Sequence, residues 1–434
     1  LFTAVVSLLA GALVGTAPAI AAARGNVQTA LKDTSRGVAG GGLRRRLRAA
    51  LVVGEVALAV VLTTGAGLLL RSFVTLLNVD PGFRSENLLT LQIQLPNRIT
   101  TPDARRAFYA DMFERLDSLP GVVATGGTTR LPLGSTNIST RVMVDGRTMT
   151  PADMPEVEMR RAVHHYFRAM GMPLVRGRSF TAEDGPTSQP VVVVNQTMAR
   201  RLWPNEDAVG KRFKMGTNPQ TPWSPVIGVV GDLRHAGLDA DPVAEFYIWY
   251  LQGPPVAPYL VVRTHGDPAA LAEPVRAELK ALEKDLVVYD MRTMPEVRAA
   301  SVAERRFILV LALAFGLLAL TLAAVGVYGV MALVVSERTQ EIGIRLAIGA
   351  EPLGVLGLVV RQGFGLAAAG IALGLAASVA LTPLMAGQLY GVGTTDAPTL
   401  AGVPLLLLGV ALLACVVPAR RAMRVDPATA LRYE

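Results

Sequence analysis

Five stretches of this 434-residue chain, 1–20, 49–70, 307–335, 355–384 and 399–418, are apolar over the length that crosses a bilayer. A hydrocarbon core about 30 Å thick needs roughly 20 such residues. The long polar stretch 72–304 between the second and third runs must therefore stand on one side of a membrane. Composition agrees, with 51% hydrophobic and 18% charged residues, where an ordinary soluble domain carries about 25% charged. The net charge of +8 comes without any nucleic-acid fold signature. Its basic residues cluster beside apolar runs, which suits anionic lipid headgroups and topology control. Cys415, the one cysteine, lies in an apolar run, so there is no disulfide framework and no thiolate metal site.

The first run has two readings. Small residues at Ala17, Ala19 and Ala21 suit a secretory signal peptide, but a basic n-region and an initiator Met are lacking. Charge bias favours the other reading, a membrane span. The loop 21–48 holds Arg24, Lys32, Arg36, Arg44, Arg45, Arg46 and Arg48, the tail holds Arg420, Arg421, Arg424 and Arg432, and 386–398 has no Lys or Arg. With basic loops in the cytoplasm, alternation puts 336–354 inside and 72–304 outside, and a cleaved leader would spoil that agreement. An internal match supports the span. Pro18 to Leu31 and Pro418 to Leu431 are both 13 residues apart, each after an apolar run and around basic residues, so 1–32 reads as the end of an earlier copy of 307–434. A chain beginning at Leu1 is then expected to be a fragment.

Between two of the spans lies SERTQEIGIRLAIGAE, Ser336 to Glu351. Ser336 is a cap candidate and Arg345 follows Glu341 by four. Ile342 with Leu346 and Ile344 with Ile348 share helical spacing, and Gly349 precedes Pro352. This is a short cytoplasmic helix with charges and a docking face.

Outside the membrane, 88–96 reads as a strand, 101–119 as a helix with Pro102 in its first turn, and 122–129 as a strand. The residues 259–293 repeat strand, helix and strand. Two β-α-β units with an insertion between them predict one α+β subdomain. The insertion, about 130–245, reads as mostly β with one helix at 195–203.

Three motifs now carry a resemblance: SERTQEIGIRLAIGA after an apolar run, VPARRAMRVDPATALRYE at the end, and HHYFRAMGMPLVRGRSFTAEDG, VVVVNQTMARRLWPNEDAVGKRF and VIGVVGDLRHAGLDADP outside. Together they resemble the FtsX-like/MacB-like ABC transporter permeases, over nearly all of 49–434. The segment 1–48 looks like the close of a first permease half, as in the large duplicated permeases of acidobacteria. The resemblance implies a membrane α-helical bundle of about four core helices plus one from a preceding repeat, with a large α+β extracytoplasmic domain, in the bacterial inner membrane. Its domains would be a last upstream helix 1–20, a basic cytoplasmic linker 21–48, a first helix and stalk 49–75, the MacB-like domain 76–300, and the FtsX-like domain 301–434 with tail 419–434. The coupling helix of the family falls on 336–350, with Glu337, Arg338, Glu341 and Arg345 as polar contacts, Ile342, Ile344 and Leu346 as apolar ones, and Gly343 among them. The partners implied are an ABC-type ATPase subunit, a second permease half and membrane lipids; a periplasmic adaptor is left open.

No GxxxxGK[ST] occurs, and Gly210-Lys211 is followed by Arg212, so the phosphate cradle is absent. ATP would be bound by a separate subunit; this chain needs no cofactor and is not read as an enzyme. Few polar side chains lie in the spans, Thr321 and Tyr328 being the notable ones in 307–335. That favours mechanotransmission over a transmembrane substrate path, with 300–335, roughly 50 Å at about 1.5 Å per residue, projecting as a stalk. Glu55, the one acid in a span, is a functional candidate or a hydrogen-bonded or snorkelling structural group. Gly326, Gly329, Gly363, Gly365, Gly370 and Gly374 suit close helix packing. His164 and His165, adjacent on a strand, should face opposite sides. Trp203, Trp223 and Trp249 are expected in packing, and 232–241 as a turn-rich loop. The rival reading is a non-transporting FtsX-like regulator of a periplasmic partner such as a cell-wall hydrolase.

Overall fold

The structure, a computed structural model, describes residues 41–134, 138–338 and 352–423. The expected span 1–20, most of the linker, the Pro-to-Leu repeat, and coupling residues Glu341, Ile342, Gly343, Ile344, Arg345 and Leu346 lie outside the described residues.

Nine α-helices are described: α1 Gly41–Leu77, α2 Pro102–Ser118, α3 Tyr166–Met170, α4 Gln196–Leu202, α5 Ala272–Leu282, α6 Met294–Ser301, α7 Ala303–Glu337, α8 Pro352–Leu381 and α9 Ala397–Met423. The strands are β1 Leu88–Gln94, β2 Val122–Thr128, β3 Ser139–Val144, β4 Glu156–His164, β5 Leu174–Gly177, β6 Val192–Asn195, β7 Arg212–Met215, β8 Ser224–Val230, β9 Glu245–Trp249, β10 Tyr259–Thr264 and β11 Val287–Thr293. The chain divides into two compact units. One holds Leu70–Val310 with Tyr390–Val392, and the other holds the remainder.

In the membrane unit four helices are long and apolar enough to cross a bilayer: Arg46–Leu77, Ala303–Glu337, Val360–Gln388 and Ala397–Pro418. The first begins earlier than its apolar run, because Gly41 to Ala50 contains no breaker after its glycines and Leu and Arg are good helix formers. Hydropathy marks where the membrane is, not where the helix starts. Val52, Val56, Ala59 and Val60 of α1 pack with Ala319, Ala323, Val327 and Met331 of α7, Ile371 of α8 and Val403, Leu407 and Cys415 of α9. Small residues set the spacing. A Cβ on Gly370 would lie 2.7 Å from the Val56 Cβ, and one on Gly374 2.6 Å from the Val60 Cβ, so α8 meets α1 nearly backbone to backbone. Gly326 and Gly363 are also tight, whereas Gly329 and Gly365 face open space. The expected packing role thus holds for four of the six glycines.

In the outer unit the two β-α-β units do form one layer, with strand order β11-β1-β10-β2. All these neighbours are antiparallel, so each unit is split and the other's strand fits between its own, the ferredoxin-like arrangement. Thr101 caps α2, its side chain accepting from the Ala104 N–H, with Pro102 at the start. Tyr109, Met112, Phe113 and Leu116 of α2 and Val275 and Leu279 of α5 enter the core formed with Leu89, Leu91, Val261 and Leu260.

The insertion is continuous with that sheet, because β4 pairs with β2 through Ala162, Val163 and His164. The rest of β4 pairs antiparallel with β3 and parallel with β9. Continuing through β7, β8 and β6 back to β9, these pairings close on themselves as a six-stranded ring. Val142, Val194, Phe213, Val226 and Phe246 fill it together with Met198, Leu202 and Trp203 of α4 and its end.

Three expectations need correction. The insertion has a second helix, α3, because five residues are too few for a periodic signal. The stalk expected over 300–335 breaks at Val302, between α6 and α7. His164 ends β4 in the left-handed region at φ 50, so strand alternation fails there and the His164 and His165 rings meet at 4.0 Å between centroids.

Candidate functional site

Glu337 and Arg338 are the coupling residues within the described part. Glu337 closes α7 and accepts a hydrogen bond from Arg48 of α1 at 3.5 Å. Both side chains are about half exposed, at 46% and 56% for Arg48 and Glu337, so the pair is weak by itself and marks two helix ends that lie side by side. The Arg338 N–H closes the last turn onto the Val334 and Val335 carbonyls. Further along α1, Glu55 is half-buried and its carboxylate rests on Gly326 of α7 at a distance only a glycine allows. Among the described residues it makes no hydrogen bond or ion pair. Arg48 and Glu55 of α1 are thus both turned toward α7.

In the outer unit the ends of α1 and α7 meet one loop. After α1 the chain passes Gly82, whose φ is 85 and whose Hα side is filled by the Asp232 carbonyl, so a side chain there would be both strained and blocked. The Arg234 backbone N–H donates to the Pro81 carbonyl at 3.1 Å. Asp239 accepts from Arg305 near the start of α7 at 2.7 Å, and Arg298 of α6 donates to the Leu77 carbonyl that ends α1. Asp232 fastens the same loop to the first turn of α4, accepting from the Thr197 N–H at 2.8 Å, its hydroxyl at 2.9 Å and Arg200 at 2.8 Å. The expected turn-rich loop 232–241 is therefore a junction.

His235 roots that junction in the interior. It is 3% exposed, and its Nε2 lies 2.9 Å from Glu245 of β9, itself fully buried. Arg160 Nε donates to the same carboxylate oxygen at 2.7 Å and the Tyr247 hydroxyl to the other at 2.7 Å. Arg160 also pairs with Glu158. Burial alone would push Glu245 up; His235, Arg160 and Tyr247 outweigh it and hold its carboxyl down at about 2. At Glu158 burial wins over Arg160, and that acid shifts up. Nothing in the sequence singled out this cluster. Arg160 and Tyr247 are far apart along the chain, and only the parallel pairing of β4 with β9 places them opposite one another.

The remaining polar candidates are structural in placement. His164 Nε2 lies 2.8 Å from Asp117, and its ring stacks on Phe113 at 4.6 Å. Burial raises Asp117, but the His164 and Thr125 hydrogen bonds outweigh it and leave the carboxyl below its ordinary range. Trp203 and Trp249 are core residues at 4% and 6% exposure, and Trp223 lies under Lys214. Among the described residues no three His, Cys, Asp or Glu side chains gather as a metal site would require.

Family comparison settles what kind of scaffold this is. Residues 49–282, more than half of the chain, match the MacB-like periplasmic core domain, and 313–427 match the FtsX-like permease C-terminal region. The chain belongs to the MacB-like, FtsX-type permease family. It is an inner-membrane protein with an extracytoplasmic domain. Similar proteins include the macrolide export ATP-binding/permease protein MacB of Chromobacterium violaceum, 29% identical over 62% of this chain and 42% of that protein. MacB 1 of Yersinia pestis is 25% identical over 77% of this chain and 50% of that protein, and MacB of Rhodospirillum rubrum 30% identical over 62% and 42%. The permease thus spans half or less of the length of these curated relatives. Among solved structures, the periplasmic region of MacB from Actinobacillus actinomycetemcomitans covers 52% of this chain and 97% of that one at 17% identity, with a TM-score of 0.35. The extracellular domain of the noncanonic ABC-type transporter YknZ from Gram-positive bacteria covers 46% and 100% at 16% identity, with a TM-score of 0.30.

Proposed function

We propose that this permease couples ATP hydrolysis by a separate ABC-type ATPase to movement of its extracytoplasmic domain, in the service of export. The observation that carries this reading is the loop 232–241, which holds the end of α1 through Gly82 and the start of α7 through Arg305, while being rooted in the interior by His235. A shift of either helix end is thereby delivered to the ring of strands around Glu245. The helices suit such a lever. At about 1.5 Å per residue, α1 with 37 residues and α7 with 35 are each more than 50 Å long, well beyond the roughly 20 residues that a crossing needs.

The cytoplasmic end of the lever would be 336–350, with Glu337, Arg338, Glu341, Ile342, Gly343, Ile344, Arg345 and Leu346 facing the ATPase. A second permease half is the other partner proposed. Fewer than four in ten residues in the apolar window of each span are buried, so large apolar faces are left for it and for lipid. Relatives named for macrolide export make a small molecule the cargo class to try first. No transmembrane cavity is needed on this reading, and Glu55 is placed to keep α1 and α7 in register.

Co-expression of the full-length protein with ATPases of its own genome tests the reading. Co-purification with stimulated ATP hydrolysis is expected, with the stimulation lost in Glu341→Lys at unchanged expression. Failure to associate with any ATPase would sink it and favour a regulator that works without transport.

A further inference from the structure

Arg160 and Arg161 are neighbours on β4 and face opposite ways, as strand residues do. Arg160 is engaged with the Glu245 and Glu158 carboxylates. Arg161 is the contrast: half-buried, its Nε without a hydrogen-bond partner although no solvent reaches it, and its guanidinium without an ion pair among the described residues. Its backbone N–H donates to the Thr129 hydroxyl at 3.2 Å.

The Arg161 side chain borders a cavity of about 270 Å³ beside strands of the ring. Val191, Phe213, Met215, Pro222, Phe246 and Ile248 make its apolar wall, and among the described residues no acidic one lines it. Gly253 leaves the guanidinium uncovered: a Cβ there would sit 3.4 Å from Arg161 Nε. Its backbone is not in the left-handed region, so a side chain is excluded by no conformational demand. Burial lowers Arg161 from its ordinary value, yet a guanidinium keeps its proton in any protein. A fixed cation beside an apolar wall, with no anion among the described residues to meet it, is complementary to a ligand that has both an anionic head and an apolar body.

We propose that this cavity binds a small amphiphilic carboxylate, its head paired with Arg161 and its apolar part against Phe213, Phe246 and Ile248. At about 270 Å³, just below the roughly 300–1,000 Å³ of drug-sized ligand sites, it accommodates one aromatic ring or a short acyl chain and not a macrocycle. The site is independent of the ATPase-coupled reading, since its occupancy can be read with no ATPase present.

The test uses the full chain in lipid nanodiscs, with 4-phenylbutyrate as the probe and the neutral 4-phenylbutanol as its comparator. Saturation-transfer NMR would follow both, with empty nanodiscs subtracted. The acid should bind at least tenfold more tightly than the alcohol. Arg161→Met should bring the acid to the level of the alcohol, and Gly253→Leu should weaken the acid by a similar factor at an unchanged melting temperature. Equal binding of acid and alcohol to the wild type, or no signal from either, overturns the proposal, and that comparison needs no variant to fold. Retained acid preference in Arg161→Met overturns it as well.

Discussion

The membrane bundle and the outer domain are both mostly apolar inside, yet they are held in opposite ways. Between the helices of the bundle glycines allow close approach, Gly370 and Gly374 against α1 nearly backbone to backbone, and small residues such as Ala59 and Ala323 are buried among the packed side chains. Lipid tails are as apolar as leucine, so burying a large side chain gains little there and backbone proximity decides. In the outer domain water is the alternative, large side chains such as Tyr109, Phe113 and Phe246 fill the core, and buried carboxylates survive inside because Arg160 and Tyr247 partner them. The lesson is that the two regions fail through different chemistry: the bundle through added volume, the outer domain through an orphaned charge.

The strongest way to break that contrast is Arg160→Met. Leaving Glu245 and Glu158 buried without their guanidinium should cost about 3–5 kcal/mol, read as a lower urea midpoint for the outer domain while the bundle melts as before. A loss below about 1 kcal/mol would mean that the cluster does not hold the outer domain together.

Acid probes the same chemistry without mutation. The depressed Glu245 contributes stability that is complete above the ordinary carboxylate range and is lost as the pH falls through about 4.5 toward about 2. The amount is on the order of 3 kcal/mol. Glu158, shifted the other way, offsets part of it at higher pH. Thermal melts in nanodiscs from pH 6 to pH 3 should show the outer transition fall and the bundle transition stay; equal falls in both would erase the distinction.

Volume is the corresponding probe of the bundle. Gly374→Leu should destabilise it by about 1–3 kcal/mol through overpacking against Val60 and Ala57. Gly329→Ala, where a Cβ meets nothing within 4 Å, should be neutral to within about 0.5 kcal/mol. Thermal unfolding of both variants side by side sharpens the comparison, because both glycines lie in apolar helices and an added Cβ meets a neighbour at only one of them.

The smallest effect expected is at the cytoplasmic end. Glu337→Gln removes a half-exposed pair with Arg48 and should change stability by less than about 1 kcal/mol, and by less again in high salt. A larger, salt-independent loss would place that pair in a network like the one around Arg160.

Much of the fold is legible in the amino-acid sequence. Four spans, the two β-α-β units with their strands near 88, 122, 259 and 287, and the loop 232–241 all follow from local pattern. The helix cap at Thr101 and the run of periodic residues behind it need no tertiary information. The candidate site is only half legible. Glu337, Arg338 and Glu55 can be picked out by their position beside or within a span, but Arg160, His235 and Glu245 look like ordinary polar residues of a soluble stretch. A charge neutralised by pairing in the interior leaves no mark on the sequence, because its partners come from different strands and a loop.

What the amino-acid sequence by itself determined is where the membrane lies, which side carries the large domain, and the family to which the chain belongs. Apolar run length, loop charge and short motifs are local quantities, and the bilayer reads them locally too. Tertiary structure alone decided that the insertion closes into a ring continuous with the first sheet, that loop 232–241 receives both long helices, and that Arg160 and Arg161 have opposite fates. Those depend on strand pairings between residues far apart in the chain, as in β4 and β9. Such pairings are chosen by the packing of the whole domain, which no window of sequence contains.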